Sequence, residues 1–248
     1  MGFKARRFVL FPLIVLYCTG YAGGQTTSSA MPIPNVSPND PAVVPASRIP
    51  RWWVTRHNEK TGNVILNQKI VFIGDSITEG YEGTEAWKIL NKKYNNRITN
   101  LGFSGDSTGH VIWRLENGEF PKGINPEYVV LMIGTNNKNA PEAIAAGIGK
   151  IIKIINNNSP KSKILLFSIL PCGSGLDDQN TIKNNNVNKI IKNYHGFFNV
   201  RYIDIANYYI NSRGELIQEL FAKDRLHLVP EGYTVWNDRI TAIIDSGK

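Results

Sequence analysis

Four short polar stretches carry the residue types that could do chemistry. They are G-D-S-I-T-E-G at 74–80, G-F-S-G-D-S-T at 102–108, G-T-N-N at 134–137 and D-R-L-H at 224–227. The first three follow apolar runs, and the fourth precedes the last helical pattern of the chain. Together they supply a hydroxyl, an imidazole, a carboxylate and several N–H donors, the groups needed for nucleophilic attack on a carbonyl carbon.

Ser76, His227 and Asp224 are the candidate catalytic residues. A serine hydroxyl is a poor nucleophile unless a base takes its proton, and an imidazole titrates near neutral pH. Asp224 precedes His227 by three residues, so in a tight turn its carboxylate reaches the nearer ring nitrogen and fixes the tautomer. Two alternatives stay open at this point: Ser76 as a helix N-cap, and the Asp–His pair as part of a surface turn.

Gly105 and Asn136 are the candidate donors to an oxyanion. Gly105 presents its backbone N–H without a side chain in the way, Asn136 presents a side-chain amide, and the N–H of Ser76 is a third donor. Gly105 as a turn glycine and Asn136 as a loop-capping amide are the alternatives. The occurrence of all four stretches in order on one predicted edge favours the catalytic interpretation.

The elements that must position these residues alternate between strand and helix. Apolar runs predict strands at 70–73, 98–101, 128–133, 163–170 and 200–205, and helical spacing predicts helices at 84–94, 108–115, 141–155, 179–194 and 231–244. Alternation of this kind is typical of right-handed crossovers and a parallel sheet covered on both faces. We therefore expect an α/β fold, a flavodoxin-like three-layer α/β/α sandwich with a five-stranded parallel sheet. Ligands bind at the carboxyl ends of such strands.

The first 24 residues have the composition of a signal peptide. Three basic residues precede an apolar run at 8–17, and small residues follow at 22–24. The apolar run of ten residues is too short to cross a bilayer as a stable helix, which needs about 20. We expect export to the periplasm or the extracellular space. Lipid anchoring at Cys18 is the less favoured alternative, because the bulky Tyr17 precedes it.

Residues 25–50 have the composition of a linker. The segment is rich in Ser and Thr at 26–29 and contains six prolines between positions 32 and 50. Such a stretch neither pairs as a strand nor runs as a helix, so we expect it to be extended and to bury little. The folded domain is expected at 51–248, with Trp52 and Trp53 packed onto it.

Charge and cysteine content exclude several classes of protein. The net charge is +8, and removal of the three basic residues of the signal leaves +5, with lysines and acids interleaved along the chain. This is typical of a solvated surface and not of a nucleic-acid partner. Cleavage of the signal leaves Cys172 alone, which excludes an internal disulfide. No cluster of metal-ligand type occurs in the sequence, and no cofactor is expected.

The four polar stretches resemble the conserved blocks of the SGNH, or GDSL, hydrolases. The stretch at 74–80 is similar to block I, with the nucleophile near the start of the domain, and the chain has no G-x-S-x-G. Block II maps its glycine to Gly105 and block III maps its asparagine to Asn136. Block V maps its acid and base to Asp224 and His227. The match departs from the usual pattern only in reading G-D-S-I for G-D-S-L.

Two flanking runs narrow the resemblance to one branch. R-W-W-V-T-R-H-N-E at 51–59 and H-V-I-W-R-L-E-N-G-E-F at 110–120 look like the branch that contains the catalytic subunits of platelet-activating factor acetylhydrolase and bacterial acetylesterases. The resemblance covers about residues 51–245. It implies a flavodoxin-like fold, an acyl-serine intermediate, no metal and activity on small acyl esters. For an exported member, an acetylated carbohydrate is the expected substrate.

Three alternatives to this function remain for comparison. The first is a lysophospholipase-like or lipase-like esterase acting on longer acyl chains, and the second is a glycan-binding module that kept the fold without turnover. A nucleotide-binding module is ranked last, because glycines at 102, 105 and 109 do not form a G-x-G-x-x-G fingerprint. The natural ester and the oligomeric state are not fixed by the sequence.

Overall fold

The structure, a computed structural model, describes residues 30–247, apart from the side chains of residues 63 and 64. The predicted signal peptide at 1–24, with Cys18, and the start of the predicted linker lie outside the described residues. Within them the chain forms one five-stranded sheet with helices on both sides. This confirms the predicted α/β sandwich.

The strands and helices alternate along the chain as the sequence predicted. The strands are β1 (Ile70–Gly74), β2 (Ile98–Gly102), β3 (Tyr128–Met132), β4 (Lys163–Phe167) and β5 (Val200–Ile203). The α-helices are α1 (Arg51–Glu59), α2 (Ser76–Tyr81), α3 (Glu85–Lys93), α4 (Thr108–Arg114), α5 (Pro141–Asn158), α6 (Gln179–Ile191) and α7 (Pro230–Asp245). Short 3-10 turns occupy Gly62–Ile65, Lys192–Tyr194, Ala206–Tyr209 and Gln218–Leu220, and a π turn occupies Leu115–Glu119. Helix α1 was not predicted. Strand β4 ends at Phe167, earlier than predicted, and there it is level with Ile203 at the end of β5.

All strand pairs are parallel, in the order β2-β1-β3-β4-β5. Gly74 lies level with Gly102 of β2 and with Met132 of β3. The carboxyl ends of the three neighbouring strands therefore form one edge, and the stretches at 74–80, 102–108 and 134–137 all leave the sheet there. This register brings distant parts of the chain to one place.

Alternate residues of the strands enter two separate hydrophobic layers. On β1, Val71 and Ile73 join the layer that holds the apolar side of α5, whereas Ile70 and Phe72 join the layer that holds α7. A strand buried on both faces reads as a continuous apolar run, which is why the sequence predicted these strands well. The sheet therefore lies between two hydrophobic layers.

Residues 30–50, called the N-terminal arm below, pack against the domain. Ala42 is fully buried, and its carbonyl accepts a hydrogen bond of 2.7 Å from Thr108 Oγ1. Asn139 Nδ2 donates to Asp40 Oδ1 at 2.7 Å, and Lys150 Nζ donates to the Val43 carbonyl at 3.1 Å. Most of residues 30–50 are nevertheless exposed, and only Met31 and Ala42 of this segment are buried, which agrees with the prediction that it buries little. Several of its contacts with the domain use backbone carbonyls, which leave no pattern in the sequence.

The two tryptophans of α1 behave differently. Trp53 is buried, as predicted, whereas 45% of Trp52 is exposed. The prediction that both pack onto the domain is therefore wrong for Trp52, whose ring lies beside the Arg48 guanidinium with 5.4 Å between the ring centroid and Cζ. On a helix, adjacent residues point about 100° apart, so only one of two neighbours faces the core.

Candidate active site

Ser76 is the first residue of α2, directly after the end of β1. The cap of this helix is Asp75, whose Oδ1 accepts a hydrogen bond of 3.0 Å from the Ile77 N–H. Ser76 is therefore not the N-cap, and its hydroxyl remains available. A Cβ on Gly102 would overlap the backbone of Glu79 in α2, so a glycine at the end of β2 lets this helix lie close against the strand ends.

The structure brings His227 and Asp224 to the hydroxyl of Ser76. His227 Nε2 lies 2.8 Å from Ser76 Oγ across 151 residues of sequence, and His227 Nδ1 lies 2.6 Å from Asp224 Oδ2. A carboxylate only accepts hydrogen bonds, so the ring proton sits on Nδ1 and the lone pair of Nε2 faces the hydroxyl. The arrangement can move a proton from the serine oxygen to the imidazole.

Local contacts shape the turn that carries this acid and base. Asp224 Oδ1 accepts hydrogen bonds of 3.0 Å from the N–H groups of Leu226 and His227. Arg225 has a φ of 55° in the left-handed region, which closes the turn. The hydrogen bond from His227 is the main cause that holds the pKa of Asp224 below its ordinary value. The carboxylate therefore stays charged and able to stabilise an imidazolium.

A hydrogen bond joins the loop that carries Asn136 to the loop that carries Gly105. Asn136 Nδ2 donates a hydrogen bond of 3.0 Å to the carbonyl of Asp106, which is the residue after Gly105. This bond uses one of the two hydrogens of the Asn136 amide, so the second is not engaged by Asp106. Gly105 has a φ of 75°, and its N–H donates to no protein atom among residues 30–247. The N–H of Ser76 lies in the first turn of α2, where no intrahelical acceptor exists.

The carboxylate of Asp106 is fully buried and is surrounded by donors. It accepts hydrogen bonds from Trp53 Nε1 at 2.8 Å, Arg48 Nη1 at 3.2 Å and Arg114 Nε at 2.8 Å. Arg48 Nη1 also donates to the carbonyl of Ser104 at 2.7 Å. The loop that carries Gly105 is thus held from the N-terminal arm, from α1 and from α4.

Arg114 extends this buried network of charges. Its guanidinium pairs with Glu119, which is also fully buried and whose other oxygen lies 2.8 Å from His57 Nδ1. None of these residues was predicted from the sequence to support the site. Arg114 is separated from Asp106 by 8 residues and from Glu119 by 5, but charged residues at such spacings usually lie on the surface, so the sequence did not show that this group is buried.

A cavity of about 640 Å³ opens beside Asn136 and Asp224. Its walls include the cationic side chains of Lys138, Lys183 and Arg225, together with the Asn180 amide. Such a lining suits a ligand with many hydrogen-bonding groups. Near its wall, Cys172 is buried, and burial raises the pKa of its thiol. A thiol with a raised pKa is a poor nucleophile, so Cys172 is best described as a small structural residue.

Membrane-spanning helices and metal sites are both absent from the described part of the chain. No helix in it combines the length and the apolar character that a membrane crossing needs. No group of three or more His, Cys, Asp and Glu side chains within it is arranged to hold a metal ion.

Known proteins resemble this chain in both sequence and structure. The sequence model of the GDSL-like Lipase/Acylhydrolase family matches residues 72–235. Platelet-activating factor acetylhydrolase IB subunit alpha2 of Rattus norvegicus is 34% identical over 189 residues, which cover 73% of this chain and 78% of the relative. A GDSL-like lipase structure from Bacteroides thetaiotaomicron matches with a TM-score of 0.62 at 19% identity, over 80% of this chain and 98% of that chain. A mutant of an acetyl-xylooligosaccharide esterase from Geobacillus gives a TM-score of 0.58 at 18% identity, over 71% and 94% of the two chains.

The fold and these matches together define a hydrolase of ester bonds. More particularly, this chain belongs to the GDSL-like lipase/acylhydrolase family and shares the branch of the platelet-activating factor acetylhydrolase subunits. The resemblance seen in the four polar stretches is thereby confirmed at the level of the family.

Proposed function

We propose that this protein is a serine esterase that removes short acyl groups, acetyl above all, from acetylated carbohydrate. The observation that carries the proposal is the continuous chain of contacts from Asp224 through His227 to Ser76, with separations of 2.6 and 2.8 Å. A serine, a histidine and a carboxylate in this order are the parts of a nucleophilic acyl-transfer site.

The reaction runs in two halves. Ser76 Oγ attacks the ester carbonyl while His227 Nε2 takes its proton, and Asp224 stabilises the resulting imidazolium. The negative charge on the carbonyl oxygen is received by the N–H groups of Ser76 and Gly105 and the side chain of Asn136. His227 then gives the proton to the departing alcohol, which leaves an acyl-serine. In the second half, a water molecule attacks the acyl-serine carbonyl while His227 takes a proton from the water. His227 then returns the proton to Ser76 Oγ, and the carboxylic acid is released.

Three observations support the substrate class. The rat relative is named an acetylhydrolase, and it is related over most of this chain. The walls of the cavity beside Asn136 and Asp224 include amide and cationic side chains, which can donate hydrogen bonds to the hydroxyls of a sugar. The Geobacillus structure, named an acetyl-xylooligosaccharide esterase, offers a precedent on the same fold.

The proposal is tested by acetate release from acetylated oligosaccharides and from a chromogenic acetate ester. Ser76→Ala is expected to lower kcat by at least about 10⁴-fold, because the nucleophile is lost. Ser212→Ala, at an exposed serine outside the cavity walls, is the matched control and should keep the wild-type rate. Equal rates for wild type and Ser76→Ala would remove Ser76 from its role.

A series of esters with increasing acyl length separates the proposal from a lipase-like function. We expect kcat/KM to fall from acetate to octanoate. A rise along the series would support the lysophospholipase-like alternative. Tight glycan binding without acetate release, equal in wild type and Ser76→Ala, would indicate a binding module.

A further inference from the structure

The loop that carries Asn136 is supported from two opposite sides. On one side, the carbonyl of Asp106 accepts the hydrogen bond from the Asn136 amide, at 3.0 Å. On the other side lies Lys183, in the first half of α6. Its Nζ donates to the carbonyl of Thr135 at 2.8 Å and to the carbonyl of Asn137 at 2.7 Å.

These two carbonyls belong to the residues immediately before and after Asn136. One ammonium group therefore ties the chain on both sides of Asn136, and this limits rotation about the backbone that carries its side chain. The following residue of α6 adds to the attachment: Asn184 Nδ2 lies 3.3 Å from Thr135 Oγ1 and donates to the Leu170 carbonyl at 3.0 Å. The loop and the helix are joined at this point.

The surroundings of Lys183 disfavour the charged form of its side chain. The side chain is half-buried in the wall of the cavity that Asn136 also lines, and burial lowers its pKa. The other charged or titratable groups of that wall are Lys138, Arg225, Cys172 and Asp224. Asp224 is hydrogen-bonded to His227, and within residues 30–247 no carboxylate forms an ion pair with the Lys183 ammonium. The two carbonyls are its hydrogen-bond partners in the described residues.

We propose that Lys183 is a positioning residue that holds the Asn136 amide in place for the oxyanion of the acyl-transfer reaction. This inference rests on the proposed esterase function. An oxyanion donor is effective only when it is already oriented before charge develops, because reorientation during the reaction costs part of the gain. Lys183 touches neither substrate nor Ser76 in this role and acts through Asn136.

The test is a double-mutant cycle between Lys183 and Asn136, measured with a chromogenic acetate ester. Lys183→Met keeps the length of the side chain and removes the ammonium. We expect it to lower kcat by about tenfold, with KM changed less than about twofold, because orientation of a donor is lost and ground-state binding is not. Asn136→Ala is expected to lower kcat by about 10²–10³-fold. In the Asn136→Ala background, Lys183→Met should cost almost nothing further, since the group it orients is absent.

Three more variants make the result decisive. Lys189→Met removes an exposed lysine of the same helix and should keep the wild-type kcat. Lys183→Arg retains two N–H donors and should recover part of the loss, and Lys183→Gln replaces the methionine variant if that protein fails to fold. Circular dichroism checks the fold of each protein.

An unchanged kcat for Lys183→Met, or the same loss in both backgrounds, overturns the inference while Ser76→Ala still shows an active esterase. Wild-type activity that survives Ser76→Ala overturns the proposed function and this inference together. Activity lost by an increase in KM alone would assign Lys183 to substrate binding instead.

Discussion

The turn that carries Asp224 and His227 lies at the surface, whereas the loop that carries Gly105 rests on buried charge. The side chains of His227 and Asp224 are 41% and 51% exposed, and those of Arg114 and Asp106 are 0% exposed. The acid–base turn, residues 222–229, holds its catalytic groups through bonds between near neighbours in sequence. The donor loops, residues 102–108 and 134–137, are held by side chains from distant parts of the chain.

We therefore expect changes in the acid–base turn to affect activity and changes beneath the donor loops to affect folding stability. A substitution of Asp224 or His227 in the acid–base turn removes a reacting group. Because these side chains are partly exposed, water can replace most of the hydrogen bonds that are lost. A change beneath the donor loops leaves a buried charge without its partner, which is costly in any protein. The following variants test whether the two regions differ in this way.

The largest effect on activity is expected from His227→Ala. Removal of the base should lower kcat by about 10⁴-fold or more, as loss of a member of such a triad does. The thermal midpoint should change little, because the side chain is partly exposed. The two quantities are measured by ester hydrolysis and by differential scanning calorimetry. A large loss of stability in this variant would contradict the contrast between the two regions.

The largest effect on stability is expected from Arg114→Met. The variant leaves the buried carboxylates of Asp106 and Glu119 without their shared cation, and breaking a buried pair typically costs about 3–5 kcal/mol. Denaturant unfolding measures the change. Arg213→Met, which breaks the exposed pair with Glu215, is the matched control and should leave the unfolding midpoint unchanged. Equal midpoints for both variants would show that the buried network does not support the fold.

A smaller, pH-dependent effect is expected at Asp75, which lies between the two regions. Burial raises the pKa of Asp75 to about 7, with Asp106 adding to the increase and His227 opposing it. Between the unfolded pKa near 4 and this value, the folded protein keeps a proton that the unfolded chain has lost. The contribution of Asp75 to stability therefore falls as pH rises through this range.

Asp75→Asn removes this titration and keeps an oxygen to accept from Ile77. Relative to wild type, its unfolding free energy should rise by roughly 2 kcal/mol between pH 5 and pH 8. Denaturant unfolding at the two pH values measures the difference. The same difference between variant and wild type at both pH values would show that Asp75 does not titrate in this range.

The same contrast explains how much of the molecule could be predicted from its sequence. The strands are buried on both faces and therefore read as apolar runs, and Asp224 lies close enough to His227 in sequence for the pair to be recognised. The rule that parallel strands present their carboxyl ends at one edge placed Ser76 near the two donor loops, whereas the pairing of Ser76 with Asp224 and His227 was expected from the family resemblance. These features depend on local sequence or on a general rule of the fold.

The support of the donor loops could not be predicted. The N-terminal arm docks through backbone carbonyls such as that of Ala42, which any residue carries. Arg48, Arg114 and Lys183 are ordinary cations in the sequence, and their partners lie on other elements. Only the assembled sheet edge shows that these cations hold the loops of Gly105 and Asn136.

Labelling with a fluorophosphonate, followed by tandem mass spectrometry of the digested protein, shows whether His227 activates the hydroxyl of Ser76. If it does, one adduct forms, on the peptide that contains Ser76, and the labelling rate is at least about 100-fold lower in His227→Ala. An adduct on a different serine, or an unchanged labelling rate in His227→Ala, would show that His227 does not activate Ser76.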